Sequence, residues 1–104
     1  MTDGTFSPAY VGETVTLTFD FVNLLGPGET LSGTPTFTVN ATQGLDGTPS
    51  GIINGTPQIS GTKVLQSFKP KVAGEYYDII CQCSTSSDPA QAPIVTGLLP
   101  AVSP

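Results

Sequence analysis

Residues 14–22 read TVTLTFDFV, and polar and apolar side chains alternate along them from Thr14 to Phe21. Successive side chains of a β-strand point to opposite faces, so the odd-numbered positions would share one side. We therefore predict a half-buried strand whose core face consists of Val15, Leu17, Phe19 and Phe21.

A second alternating stretch covers residues 75–84 and reads EYYDIICQCS. Its odd-numbered positions are the more apolar set and are predicted to face the core: Tyr77, Ile79, Cys81 and Cys83. On the even-numbered side, Tyr76 and Ile80 would expose two large apolar side chains to water. This pair is therefore a candidate interface.

Three shorter stretches are also predicted to be strands: residues 34–41, 62–68 and 94–99. The first of them, TPTFTVNA, is predicted to turn Phe37 and Val39 toward the core. No stretch carries apolar residues at helical spacing, and glycine or proline interrupts the chain every few residues. About six to seven short strands with frequent turns predict an all-β fold, an antiparallel β-sandwich.

The glycine-rich middle of the chain, residues 42–61, has the weakest pattern. We interpret it as a loop that contains one hairpin, with the turn at Asn54 and Gly55. This dipeptide accepts positive φ at successive positions, as a tight hairpin turn requires.

Composition limits the size and the chemistry of the protein. The chain has 104 residues, enough for one domain over residues 1–104. It contains no histidine, the commonest general base and nitrogen ligand of metals. Three lysines, no arginine and eight acidic residues give a net charge of −5, which disfavours nucleic acid as a partner. We expect no enzymatic activity.

Charged residues make up 11% of the chain, less than half of the usual quarter. A surface of neutral hydroxyls and small side chains costs little to desolvate, which suits a protein packed in an assembly. The low charged fraction has an alternative interpretation, namely a threonine-rich β-domain that has no role in an assembly. The first twenty residues lack the pattern of a signal peptide, and no apolar run is long enough for a bilayer. We expect a soluble protein made in a cytoplasm, with no membrane partner.

The reactive side chains do not combine into a recognisable site. Cys81 and Cys83 lie two apart in a predicted strand, where about 7 Å separates them, so they are expected to be buried free thiols. A metal would need further cysteine or histidine ligands. Asp20, Glu75 and Asp78 occupy outward or boundary positions without calcium-loop spacing and are interpreted as surface acids. No cofactor, metal site or catalytic residue is predicted.

The corner before the second strand, AGEYYDII, carries a structural signal. Gly74 can adopt the backbone conformation of a tight turn, and a tyrosine shortly after it can return its hydroxyl to the loop. This arrangement is similar to the tyrosine corner of immunoglobulin-like sandwiches. Tyr77 or Tyr76 would fill the role, and the strand phase favours Tyr77.

Four segments together resemble a known family. They are residues 12–21 (GETVTLTFDF), 25–31 (LGPGETL), 36–39 (TFTV) and 75–85 (EYYDIICQCST). Their order and spacing are similar to the strand and turn motifs of the small immunoglobulin-like proteins of tailed bacteriophages, the fibre-tail adaptors. The resemblance extends over roughly residues 10–85 and implies an immunoglobulin-like sandwich.

The resemblance also implies a role. A family member would be a virion structural protein, made in the bacterial host cytoplasm, that docks a fibre or another tail component at the tail or neck. Its partners would be other phage structural proteins, and several copies would occupy a symmetric assembly. Two alternatives stay open: a capsid decoration protein, and a carbohydrate-binding module in which Tyr10 and Tyr76 stack on sugar rings.

Two sets of residues summarise these expectations. The chain ends, residues 1–9 and 100–104, are expected to be flexible or partner-contacting arms. The candidate interface consists of Tyr10, Tyr76, Ile80, Leu98, Leu99 and Val102. The candidate core consists of Val15, Leu17, Phe19, Phe21, Phe37, Val39, Tyr77, Ile79 and Cys81.

Overall fold

The computed structural model describes residues 6–86 and 91–104, and over these ranges the chain forms seven β-strands. The strands are β1 (Ala9–Tyr10), β2 (Val15–Asp20), β3 (Leu31–Ala41), β4 (Ile53–Ser60), β5 (Lys63–Phe68), β6 (Tyr76–Thr85) and β7 (Ile94–Val102). Two single-turn 3₁₀ helices, Val22–Leu24 and Pro49–Ile52, lie in the connections.

The strands form two sheets that pack as a β-sandwich. The four-stranded sheet has the order β1-β7-β6-β3, and the three-stranded sheet has the order β2-β5-β4. Lettered A to G along the chain, these orders are A-G-F-C and B-E-D, which place strands B to G as in the immunoglobulin sandwich. The predicted all-β sandwich is confirmed. All strand pairs are antiparallel except one, since β1 runs parallel to β7.

Aromatic rings from both sheets fill the centre of the core. The Phe19 ring meets those of Phe6, Phe37 and Phe68 edge to face, with centroid separations of 5.4, 5.4 and 6.3 Å. Edge-to-face pairs place the positive ring edge against the negative face of the neighbour. Phe19 therefore connects the N-terminal segment, β3 and β5 in one cluster.

The residues predicted for the core occupy the space between the sheets. Seven of the nine are buried: Leu17, Phe19, Phe21, Val39, Tyr77, Ile79 and Cys81. Val15 and Phe37 are partly buried and pack against this cluster. The alternation read from the sequence thus has the correct phase in β2, β3 and β6.

The predicted hairpin turn at Asn54 and Gly55 is wrong. Both residues lie inside β4, where Gly55 has a φ of +84° and the register against β5 shifts between Asn54 and Gln58. The glycine therefore serves a β-bulge. The turn between β4 and β5 lies further on, at Gly61, whose φ is +63°.

Gln66 stabilises this bulge from the neighbouring strand. Its side chain is buried on the core face of β5, and Nε2 donates to the carbonyl oxygens of Asn54 and Gly55 at 3.0 and 3.2 Å. The amide thus satisfies acceptors that the register shift removes from the ladder. The sequence contained no signal for this inward polar residue.

The N-terminal arm predicted over residues 1–9 is only partly open to test, because residues 1–5 lie outside the described ranges. From Phe6 onward the segment is packed against β7, so this part of it is not a flexible arm. The Phe6 N–H donates to the carbonyl of Leu98 at 2.8 Å, and Ala9 pairs with Ala101 in β1. The parallel pairing with β7 therefore anchors this segment.

The C-terminal arm predicted over residues 100–104 is also shorter than expected. β7 continues to Val102, and Pro100 and Ala101 are buried. Leu99, which was predicted to lie at an interface, is fully buried opposite Tyr77. The reason is its odd-numbered position, since the odd positions of β7 turn toward the core.

Candidate functional site

The outer side of the four-stranded sheet carries six large apolar side chains. Residues directly opposite each other on paired strands share a face. Tyr10 lies opposite Val102 and Leu98 opposite Asp78, while Ile80 has Thr96 as its partner. We call this surface the docking face and define it by Tyr10, Tyr76, Ile80, Ile94, Leu98 and Val102.

Five of the six residues predicted for an interface thus lie on one surface, and only Leu99 does not. Ile94 completes the docking face and was missed, although it has the same even-numbered phase as Leu98. Tyr10, Tyr76 and Ile94 are 53%, 43% and 41% exposed. The other members are partly buried.

The polar surroundings of the docking face are almost uncharged. The outward positions of β3 beside it are Thr36, Thr38 and Asn40. Among the outward strand positions that the structure describes on this sheet, Asp78 is the one charged residue. Removing water from neutral hydroxyl and amide groups costs much less than removing it from ions, provided that they find hydrogen bonds. The surface is therefore suited to contact with another protein.

The prediction that Glu75 is a surface acid is wrong. Its side chain is fully buried and accepts four backbone N–H groups. The donors are Gln43 at 2.7 Å, Leu45 at 2.8 Å, and Asp46 and Tyr76 at 3.0 Å each. Burial by itself would raise the pKa of Glu75, but the four donors outweigh it and hold this pKa below the ordinary value. The carboxylate ties the β3–β4 connection to the start of β6.

The tyrosine corner is confirmed, and Tyr77 forms it. Its hydroxyl accepts the Val72 N–H at 3.2 Å and donates to Oδ2 of Asp46 at 2.8 Å. Asp46 is itself buried, accepts the Thr48 N–H at 2.8 Å and pairs with Nζ of Lys71 at 3.4 Å. Burial and the bond to Asp46 raise the pKa of Tyr77 to about 12. The corner and the carboxylate together hold the first residues of β6.

Asp20 and Asp78 lie at outward strand positions, as predicted. Asp20 has a local structural use, since its Oδ1 accepts the Val22 N–H and the Thr62 hydroxyl, each at 3.0 Å. Neither carboxylate is part of a cluster of three or more metal-ligating side chains, and no such cluster occurs within residues 6–86 and 91–104.

Cys81 and Cys83 are buried and unbridged, as predicted. Burial, together with the neighbouring Cys83, raises the pKa of the Cys81 thiol to about 12. Burial also raises the pKa of Cys83. A thiol is a nucleophile only as the thiolate, so these two side chains are structural near neutral pH.

The pH dependence of stability follows from these groups. Asp46 and Glu75 have lowered folded-state pKa values, so their contribution is present above the ordinary values of 3.8 and 4.5 and is lost as pH falls through the lower folded-state values. Tyr77 has a raised value, so its contribution is complete below pH 10.0 and is lost toward pH 12. Urea unfolding should give a plateau near neutral pH that falls on both sides.

The Tyr77→Phe variant is the control for the alkaline side. It should lose stability at pH 7 and show a smaller further loss above pH 10, because the titrating hydroxyl is absent. Cys81 leaves a residual alkaline loss in both proteins, since its pKa is raised from 9.0 to about 12. If the free energy of unfolding falls equally steeply above pH 10 in both proteins, the alkaline loss of stability does not come from Tyr77.

No helix in the described ranges is long and apolar enough to cross a membrane. Comparisons of the chain with protein-family models, with curated proteins and with solved structures find no match in any of the three. The function is therefore inferred from the residues of the docking face and from their geometry.

Proposed function

We propose that the protein is a structural component of a tailed-phage virion, a tail or neck adaptor that docks a fibre or another tail component. The observation that carries the proposal is the position of Tyr10, Tyr76, Ile80, Leu98 and Val102 on one surface. The sequence alone predicts the same five residues for an interface. The sequence resemblance over residues 10–85 supports the phage assignment.

The chemistry of the docking face indicates what kind of partner fits. Tyrosine side chains combine a large apolar ring with a hydroxyl that hydrogen-bonds, and they are enriched among residues that dominate binding energies. Tyr10 and Tyr76 supply such groups at one end, and Ile94 and Ile80 extend the apolar surface away from them. The partner would present a flat apolar surface with hydrogen-bonding groups at its rim. Several copies in a symmetric assembly would multiply a shallow contact.

The fold prepares this surface for binding. At one end of β6, the Gly74 N–H donates to the Ala101 carbonyl at 2.8 Å, and the Ala101 N–H donates to the Glu75 carbonyl at 2.9 Å. These bonds connect β7 to the corner that Glu75 and Tyr77 hold. Binding then requires little further ordering of the backbone, which lowers its entropic cost.

Ile80→Asp is the direct test of the docking face. Ile80 is partly exposed and lies between Thr38 and Thr96 on the outer side of the sheet. We expect the variant to fold with a near-native circular dichroism spectrum and to disappear from purified virions, because a carboxylate would be desolvated in the contact. Incorporation is measured by immunoblotting of particles from complemented host cells.

Gln58→Asp is the matched control, since it adds the same charge to the exposed side of the other sheet. This variant should enter virions at the wild-type level. Normal incorporation of the folded Ile80→Asp variant would contradict the proposal. Unfolding of that variant would instead show that Ile80 supports the domain more than its exposure indicates.

Immunogold labelling of virions locates the protein. Label at the neck or tail is the expected result, and label scattered over the head would favour the capsid decoration protein. The carbohydrate-binding alternative rests on the exposure of Tyr10 and Tyr76 on one face. Specific binding on a glycan array that is lost in a Tyr76→Ala variant would favour it over the adaptor.

A further inference from the structure

The two sheets present four edge strands in the described ranges, and three of them carry a feature that hinders pairing along the full length of the strand. β1 has only two residues. β3 shifts register between Ser32 and Thr36, and the shifted segment contains Gly33 with a φ of +75° and Pro35. β4 has its own shift and contains Pro57. Bulges, prolines and short lengths are the usual means by which proteins prevent edge-to-edge association.

β2 is the exception. It pairs with β5 in unbroken register from Val15 to Asp20 and contains neither glycine nor proline. The Phe21 N–H donates to the Thr62 carbonyl, so the odd-numbered backbone groups of this segment face β5. The alternation of antiparallel pairing then directs the N–H and C=O groups of Thr16 and Thr18 away from the sheet. Among the described residues no other strand pairs with these groups, and Thr16 and Thr18 are exposed, so they form a regular hydrogen-bonding edge.

The residues of β2 are complementary to a second copy of themselves. A two-fold axis at Leu17 would place Thr16 opposite Thr18 of the second copy, and Val15 opposite Phe19 of the second copy. Both threonines have outward-facing backbone groups, so the register satisfies the hydrogen-bond alternation. Asp20 would lie opposite Thr14 of the second copy, so no two like charges would meet.

An apolar groove beside this edge supports the same partner. It lies between the N-terminal segment and β2 and is lined in part by Phe6, Pro8, Val15 and Leu17. A strand added to β2 would continue the inner face of the sheet, because an antiparallel partner keeps apolar side chains on the same side. Val15 and Leu17 would then gain apolar neighbours.

We propose that the free edge of β2 pairs with β2 of a second copy and joins two three-stranded sheets into one six-stranded sheet. The proposal goes beyond the adaptor function, because the docking face belongs to the other sheet. Its test uses purified protein alone, so its failure would leave the virion experiments unaffected.

Sedimentation equilibrium of the purified chain is the first measurement. We expect a dimer, with twice the 10.7 kDa mass of the chain. Thr18→Pro removes an N–H that β5 does not use, and proline is tolerated on an edge strand where the N–H faces solvent. The dissociation constant should rise at least about tenfold, because the two-fold axis doubles each lost bond. Thr18→Val keeps the N–H and should remain dimeric.

Disulfide trapping fixes the register and does not depend on the proline variant. Opposite hydrogen-bonded residues are about 5.5 Å apart at Cα, within the range for a disulfide. A Thr16→Cys/Thr18→Cys variant should therefore form a covalent dimer under mild oxidation, seen on a non-reducing gel. Residues two apart in one strand cannot bridge each other, so a monomeric bridge does not compete.

The control for trapping is Thr36→Cys/Thr38→Cys, an exposed pair with the same spacing on the edge strand β3. It should stay monomeric under the same oxidation. A wild-type chain that sediments as a monomer would overturn the proposal, and so would a folded Thr18→Pro variant that dimerises normally. If Thr18→Pro unfolds, a failure of the Thr16→Cys/Thr18→Cys variant to crosslink would overturn it instead.

Discussion

Replacing Phe19 with alanine is expected to destabilise the domain by about 3–5 kcal/mol, as for other buried aromatic truncations. Phe19 is 1% exposed, and its ring meets those of Phe6, Phe37 and Phe68. Removing the ring leaves a cavity. The three neighbouring rings belong to other segments of the chain and cannot fill it without losing their own packing contacts. A loss of this size is a large part of the roughly 5–15 kcal/mol that stabilises a small domain.

Urea unfolding followed by circular dichroism measures the effect as a change in the midpoint at constant slope. Val22→Ala is the control, because Val22 begins the 3₁₀ helix that follows β2 and is half exposed. It should change the free energy of unfolding by no more than about 0.5 kcal/mol. Equal losses in the two variants would mean that Phe19 is not the centre of the core.

Replacing Gly97 with alanine is expected to have the next largest effect, about 1–3 kcal/mol from overpacking. Gly97 faces the core on β7, and a Cβ there would lie 2.9 Å from Cζ of Phe6 and closer still to Cε2. The ring must then move, and it would lose its edge-to-face contact with Phe19. The anchored N-terminal segment should loosen as a result.

A double-mutant cycle with Phe6→Ala assigns this loss to the ring. In the Phe6→Ala background, Gly97→Ala should be close to neutral because the space is empty. Gly47→Ala serves as the control for glycine replacement, since Gly47 has an ordinary φ and no atom near the added Cβ. If Gly97→Ala lowers the free energy of unfolding equally in the wild-type and Phe6→Ala backgrounds, then the backbone conformation at Gly97, and not the Phe6 ring, excludes a side chain there.

The strands with clear alternation could be predicted because alternation is a local property of extended backbone. Phe19, Val39 and Ile79 are buried wherever their strands pair, since each belongs to the single apolar face of its strand. Tyr77 could be assigned to the corner for the same reason, because its phase turned it inward three residues after Gly74. Tyr76 and Ile80 could be assigned to the outer side of β6 from the opposite phase.

The buried polar residues could not be predicted from the sequence. Glu75 receives N–H groups from Gln43 and Leu45, about thirty positions earlier in the chain. From the local sequence alone, a carboxylate is expected to be exposed to water. Burial of Glu75 is favourable only because the distant β3–β4 connection supplies hydrogen-bond donors. Gln66 is a similar case, because its partners exist only where the register of β4 shifts.

Asn54 and Gly55 show the limit of a local turn rule. The dipeptide can adopt positive φ in a hairpin turn or in a bulge, and pairing with β5 selected the bulge. Leu99 shows the same limit at the C-terminus. Its place inside the sandwich depends on the register of β7 against β6, which a terminal segment does not reveal by itself.

The sequence alone determined that this chain is a β-sandwich and which side of β2, β3 and β6 is apolar, because side-chain alternation and turn residues act over a few neighbouring positions. Only the tertiary structure decided that Tyr10, Ile80 and Leu98 share a surface, that Glu75 is buried, and that β2 is the end strand of its sheet among the described residues. These properties depend on which distant strands pair and in which register, and the free energy of that pairing comes from contacts between residues far apart in the chain.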